Sequence, residues 1–252
     1  MRADETAPSV KVPEVTLLFW LIKIAATTLG ETAGDAVSMS MGLGYLTATA
    51  LFAVLLVGAV GAQVRARHFS PWLYWLAIIA TTTLGTTLAD FADRSLGIGY
   101  PGGSLLLLSL LLASLFAWHR TLGTVAIDSV QGGRAEVFYW VTILFSQTLG
   151  TALGDWTADS AGLGYSGGIA VFVLLLTAVW AAYRWTKLSH TLLFWAAFVL
   201  TRPLGAVVGD FLDKPHAQGG LDLSRFGASG ALLLFILICI AVFPQRAARA
   251  AH

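Results

Sequence analysis

Eight apolar stretches alternate with short polar connections along this chain: 14–38, 46–63, 71–92, 104–118, 136–157, 169–183, 190–211 and 228–243. About 20 apolar residues are enough for a helix to cross a bilayer, so each stretch predicts one transmembrane helix. The stretches are of two kinds, which alternate. Even-numbered ones, with runs such as Leu105 to Leu112 and Val171 to Leu176, are rich in Leu, Val and Phe and fit lipid-facing helices. Odd-numbered ones are broken by Thr, Gly and acidic residues. Their polar side must face protein or water, because lipid cannot satisfy it.

The odd stretches repeat one another. Thr28-Leu29-Gly30-Glu31-Thr32-Ala33-Gly34-Asp35 returns as Thr83-Leu84-Gly85-Thr86-Thr87-Leu88-Ala89-Asp90. It returns again as Thr148-Leu149-Gly150-Thr151-Ala152-Leu153-Gly154-Asp155, and finally as Pro203-Leu204-Gly205-Ala206-Val207-Val208-Gly209-Asp210. Ten residues before each Leu-Gly glycine stands a tryptophan (Trp20, Trp75, Trp140, Trp195), preceded by Phe19, Tyr74, Tyr139 or Phe194. Glycines 30, 85, 150 and 205 are 55, 65 and 55 residues apart, the rhythm of a duplicated two-copy unit.

Each repeat holds two spans, so all repeats enter the membrane from the same side. The predicted fold is an all-α polytopic membrane protein of eight transmembrane helices, four helical hairpins in parallel repeat rather than inverted repeat. The division is a tail at 1–13, repeats one and two at 14–118, a joint at 119–134, repeats three and four at 135–243, and a tail at 244–252. Lys and Arg gather in the tails and between-repeat joints (Arg2, Lys11, Arg65, Arg67, Arg120, Arg134, Arg184, Lys187, Arg246, Arg249), against Arg94, Lys214 and Arg225 within repeats. Both termini are therefore expected in the cytoplasm, with the turns Gly42-Leu43-Gly44-Tyr45, Gly97 to Gly103 and Gly162 to Gly168 outside.

Composition agrees. The chain is 57% hydrophobic and 12% charged, where a soluble domain carries about 25% charge. A net charge of +1 implies no nucleic-acid partner. The single cysteine, Cys239, excludes an intramolecular disulfide and a cysteine-rich zinc site. The N-terminus lacks a signal-peptide pattern, so the first helix is expected to insert and stay.

At 3.6 residues per turn, Thr28, Glu31, Thr32 and Asp35 share a helix face, as do Thr83, Thr86, Thr87 and Asp90, and Thr148, Thr151 and Asp155. Small residues four apart (Gly30/Gly34, Gly85/Ala89, Gly150/Gly154, Gly205/Gly209) allow close helix approach, so the four motif helices are expected to pack centrally. Each Asp lies about 22 Å along the helix from its tryptophan. A lone Asp there reads as a helix-end residue. Four at one depth, with Glu31 a turn below, point to a hard cation bound by oxygen. The expected ligands are Glu31, Asp35, Asp90, Asp155 and Asp210, with Thr28, Thr83 and Thr148 auxiliary. Asp93, Asp159 and Asp213 read as a hydrated funnel or as turn residues at the surface. Lys23 is expected to snorkel at the inner boundary, and Arg202, beside the helix-kinking Pro203, is either an internal counter-ion or another snorkelling residue. The tryptophans read as an interfacial belt. The Gly-x-Gly-Tyr turns lack the residue order of a potassium filter and read as helix caps.

The repeated Thr-Leu-Gly-x-Thr-x-Gly-Asp pattern, with its Gly-Leu-Gly-Tyr turn, resembles a family of bacterial inner-membrane proteins of unassigned function over nearly the whole chain. A weaker resemblance is to calcium/manganese cation–proton antiporters bearing Glu-x-Gly-Asp-Lys/Arg-Thr/Ser. Here Glu31 to Asp35 reads Glu-x-x-Gly-Asp, followed by Ala36-Val37. The resulting expectation is a transporter exporting a divalent, manganese- or calcium-like cation, alone or coupled to protons, by rocking of two four-helix halves about 119–134. It would act as a monomer or homo-oligomer, with no cofactor and no catalytic residue. The alternative is a membrane sensor or scaffold whose aspartates bond helix to helix. An enzyme is disfavoured, since no triad or metalloprotease spacing occurs and the histidines lie at segment ends.

Overall fold

Every predicted span is a helix. The structure, a computed structural model, describes residues 10–248; Arg2 and Arg249 of the basic tails lie outside them. The helices are α1 (Leu17–Asp35), α2 (Gly44–Arg65), α3 (Pro71–Asp90), α4 (Tyr100–Leu122), α5 (Gly132–Asp155), α6 (Gly164–Trp185), α7 (His190–Asp213) and α8 (Arg225–Val242). The chain is an all-helical membrane protein. Seven of these helices are long and apolar enough to cross a membrane by themselves; α1, with Lys23, Glu31 and Asp35, is the exception. The Thr16 hydroxyl caps α1 by accepting from the Phe19 amide at 3.3 Å. Pro71 opens α3, and Gly123 closes α4 in the left-handed conformation (φ 78°). The predicted joint is correspondingly shorter, since α4 runs on to Leu122 and α5 begins at Gly132.

The motif helices close into a ring: α1 packs on α3, α3 on α5, α5 on α7, and α7 back on α1. Glycine sets each contact. A Cβ on Gly30 would meet Thr82 and one on Gly34 would meet Thr86; Gly85 faces Gln147, Gly150 faces Arg202, and Gly205 faces Thr27. Both partners advance together along the chain, so the ring helices are parallel, which carries α1 across the membrane with its neighbours. The outer helices do not cover their own repeats. Instead α2 packs on α3, α4 on α5, α6 on α7, and α8 closes the circle on α1. Their apolar windows are only 17–28% buried, against 67–72% for α3, α5 and α7, and the remainder displays leucines and other large apolar side chains to lipid.

Three expectations need correction. The tryptophans form no surface belt: Trp75, Trp140 and Trp195 are buried and Trp20 is half-buried. Ring geometry turns each toward its neighbour, giving Phe19–Trp75 (5.5 Å), Tyr74–Trp140 (5.8 Å), Tyr139–Trp195 (6.3 Å) and Phe194–Trp20 (5.8 Å), a closed aromatic collar. Lys23 does not snorkel. It is fully buried, with its ammonium 4.2 Å over the Phe198 ring. The expected tail joins the packed body from Val10. Lys11 donates to the carbonyls of Gln63, Val64 and Ala66 at the end of α2 and pairs with Glu136 at 2.7 Å, and Pro13 bridges to Ala247.

Candidate functional site

Beyond each of Asp35, Asp90 and Asp155 the helix widens into a five-residue π turn: Ala36–Ser40, Phe91–Ser95 and Trp156–Ser160. The aspartates therefore stand inside continuous helix rather than at free helix ends. The following Gly-x-Gly turns need two left-handed residues, with φ 69° and 74° at Gly42 and Gly44, 70° and 76° at Gly97 and Gly99, and 69° and 65° at Gly162 and Gly164. Each turn brings a tyrosine into electrostatic range of the next repeat's aspartate: Tyr45 of Asp90, Tyr100 of Asp155, and Tyr165 of Asp210. Repeat four has no such tyrosine, and Arg225 reaches Asp35 at 3.6 Å instead.

All four motif aspartates are buried, and basic side chains bridge them in pairs. Arg94 contacts Asp90 at 2.9 Å and Asp155 at 3.1 Å. Lys214 contacts Asp35 and Asp210, each at 2.9 Å. Arg94 and Lys214 occupy one repeat position, nine residues after the motif glycine, where repeats one and three carry Met39 and Asp159. Fourfold architecture thus carries twofold charge. Lys214 lies just beyond α7. Burial pulls its pKa down, but Asp210 and Asp35 beside it lift it above its ordinary value. Arg225 also donates to Asp213 at 2.8 Å and to Ser40 at 3.2 Å. Asp93 and Asp213 are buried, and only Asp159 of the supposed funnel is exposed.

One turn deeper sits the next polar layer. Arg202, fully buried, donates to Glu31 at 3.0 Å, to Thr86 at 2.6 Å and to Thr151. Those three partners come from the other three ring helices at one repeat position, directly after the motif glycine, which puts the guanidinium head on the ring axis. Arg202 is therefore an internal counter-ion. Carboxylate oxygens of Glu31, Asp155 and Asp210 lie within 4.8 Å of one another, as do those of Asp35, Asp210 and Asp213. Asp90 joins Asp155 through Arg94. The three expected auxiliary threonines are engaged in their own helices, with Thr28 donating to the Ile24 carbonyl at 3.0 Å, Thr83 to Ile79 at 2.7 Å and Thr148 to Leu144 at 2.9 Å.

The repeats in this ring coincide with a family model, a Repeat of Unknown Function (DUF347), which matches residues 18–69, 73–124, 138–189 and 193–248. The chain belongs to the DUF347 family. Each DUF347 match spans one ring helix and the outer helix that follows it, so the family unit is a sequence repeat whose two helices pack on different neighbours. No curated protein and no solved structure matches the chain.

The sequence reading missed the ion partners Arg94, Lys214 and Arg225. Aligning the four DUF347 copies brings out the alternation of Met39, Arg94, Asp159 and Lys214, the signal that finds two of them.

Proposed function

We propose that this protein is a transporter of a hard cation, divalent and manganese- or calcium-like, in the bacterial inner membrane. In this reading both termini lie in the cytoplasm and the acidic layer opens outward. What supports the reading is the convergence of Glu31, Asp155 and Asp210, from three repeats, with oxygens within 4.8 Å of one another. An all-oxygen set of that kind suits a hard cation. Each of the three acids has its own basic partner: Arg202, Arg94 and Lys214. In this reading the basic side chains hold the carboxylates until an incoming cation replaces them. The outer layer is the accessible one, with Arg94 33% and Lys214 12% exposed, while the aromatic collar closes the opposite end.

The ion bridges tie repeat two to three and repeat four to one. The moving halves proposed are therefore these pairs, rather than the two halves of the sequence. No catalytic residue or resident cofactor is assigned.

The test is calcium or manganese flux into proteoliposomes, together with the thermal midpoint of the purified protein against Mn²⁺, Ca²⁺ and Mg²⁺. A saturable rise and flux for one ion, both lost in Asp155→Asn, are expected. A second reading, a scaffold whose aspartates bond helix to helix, draws on the pairing of Asp35 with Lys214 and of Asp155 with Arg94 across ring interfaces. It predicts no ion response in the wild type and only lower stability in Asp155→Asn.

A further inference from the structure

Below the acidic layer the ring axis changes sign. Three residues before each motif glycine stand Thr27, Thr82, Gln147 and Arg202, and each leans over the glycine of the preceding ring helix. One turn lower lies Lys23, with Thr201 at 3.5 Å and the Phe198 ring as its neighbours and no carboxylate within ion-pair distance among the described residues. Arg202 uses one nitrogen, Nη2, for Glu31, Thr86 and Thr151. Its Nε and Nη1 are buried and unpartnered. So are both amide atoms of Gln147 and the hydroxyl of Thr82.

Native interiors pair nearly all such groups. Lys23 and Arg202 face one carboxylate at this level, Glu31, and only Arg202 reaches it. The open groups are mostly N–H and O–H donors, which an anion can satisfy and a cation cannot. We propose that this layer binds one small monovalent inorganic anion of the halide type, held by Arg202, Gln147 and Thr82 with Lys23 beneath. Charge-assisted donors and a missing counter-ion are what an anion supplies for. The proposal shares Arg202 and Glu31 with the cation reading, but Asp155→Asn, outside the donor layer, is expected to remove the cation response and leave the halide response.

The test uses the full chain in detergent, titrated with chloride or bromide against gluconate at constant ionic strength. The expected result is a saturable rise in thermal midpoint with either halide, as for any ligand of the folded form. The apparent affinity should fall at least tenfold in Gln147→Leu and in Lys23→Met. Gln147→Leu alters no charge and removes two unpartnered atoms, so it carries the test if Lys23→Met does not fold. Equal midpoints in halide and gluconate overturn the proposal, and so does an undiminished halide shift in Gln147→Leu. Bromide anomalous scattering adds a positional arm: a peak beside Arg202 and Gln147 supports the site, and water alone there overturns it.

Discussion

Arg202 donates to Glu31 at 3.0 Å across the α7–α1 interface, joining residues 171 positions apart, and both side chains are buried. The pair closes the ring at its centre. Removing one member of a buried ion pair strands the other, at a cost of about 3–5 kcal/mol, whereas replacing both by apolar groups is close to neutral. Glu31→Met and Arg202→Met are each expected to destabilise by that amount, and the double variant by less than either. Thermal and denaturant unfolding in detergent measure it, and additive losses would show that the two do not act as a pair.

Glycine contributes by absence at the ring and by nothing at the periphery. A Cβ at Gly205 would run into the Thr27 hydroxyl, while one at Gly58 on α2 has no neighbour within 4 Å. Gly205→Ala should cost about 1–3 kcal/mol through overpacking. Gly58→Ala should gain about 0.5–1 kcal/mol from helix propensity. Opposite shifts of the melting midpoint are the expected result; a neutral Gly205→Ala would mean that the ring is looser than its contacts show.

Lys214 bridges Asp35 and Asp210 from one point. In the transport reading it competes with a metal ion for Asp210, one of the three converging acids. Lys214→Met is then expected to strengthen Mn²⁺ or Ca²⁺ binding about tenfold, equivalent to ~1.4 kcal/mol, and to slow release during flux. Isothermal titration and proteoliposome efflux report the two effects, and weaker binding in the variant would place the ion elsewhere.

The same lysine has a defined pH signature. Its folded-state pKa is raised above the unfolded value, so its stabilising share is complete below the ordinary lysine range. That share is lost only as pH climbs through the folded value. The stability difference between wild type and Lys214→Met should still be present at about pH 9 and shrink only in strongly alkaline buffer. A difference already lost at about pH 9 would show that the bridge to Asp35 and Asp210 does not form.

The repeat, the parallel sense of the hairpins, the central packing of the motif helices and the lipid exposure of α2, α4, α6 and α8 were legible, because each follows from spacing or polarity along one strand of sequence. What was hidden crosses between repeats. A fourfold motif says that copies exist, not which copy touches which, so nothing in the sequence of α2 reveals that it packs on α3. Trp75 inside the collar and Trp75 at a membrane surface give the same sequence pattern, since an aromatic near a span's end fits both. Lys23 and Arg202 are ambiguous for the same reason: a long basic side chain reaches either way, and the burial that decides between them comes from α7 meeting α1. The candidate site was half legible. Its aspartates stand in register in every copy, but Arg94 and Lys214 stand in alternate copies, and a search for what all copies share passes over them.

The closing of α7 and α8 on α1 bears on how the chain is made. α1 enters the membrane first, yet Lys23, Glu31 and Asp35 meet Thr201, Arg202 and Lys214 only after about 180 more residues have been synthesised. Until then its polar face has α3 and α5 at most for company, and it is the one helix not apolar enough to hold a bilayer position alone. Biogenesis therefore has a long interval in which the nascent ring is an open arc with a vulnerable leading helix. Truncation before α7 should leave α1 accessible from the aqueous side and marked for degradation, as glycosylation-mapping of staged nascent chains would show.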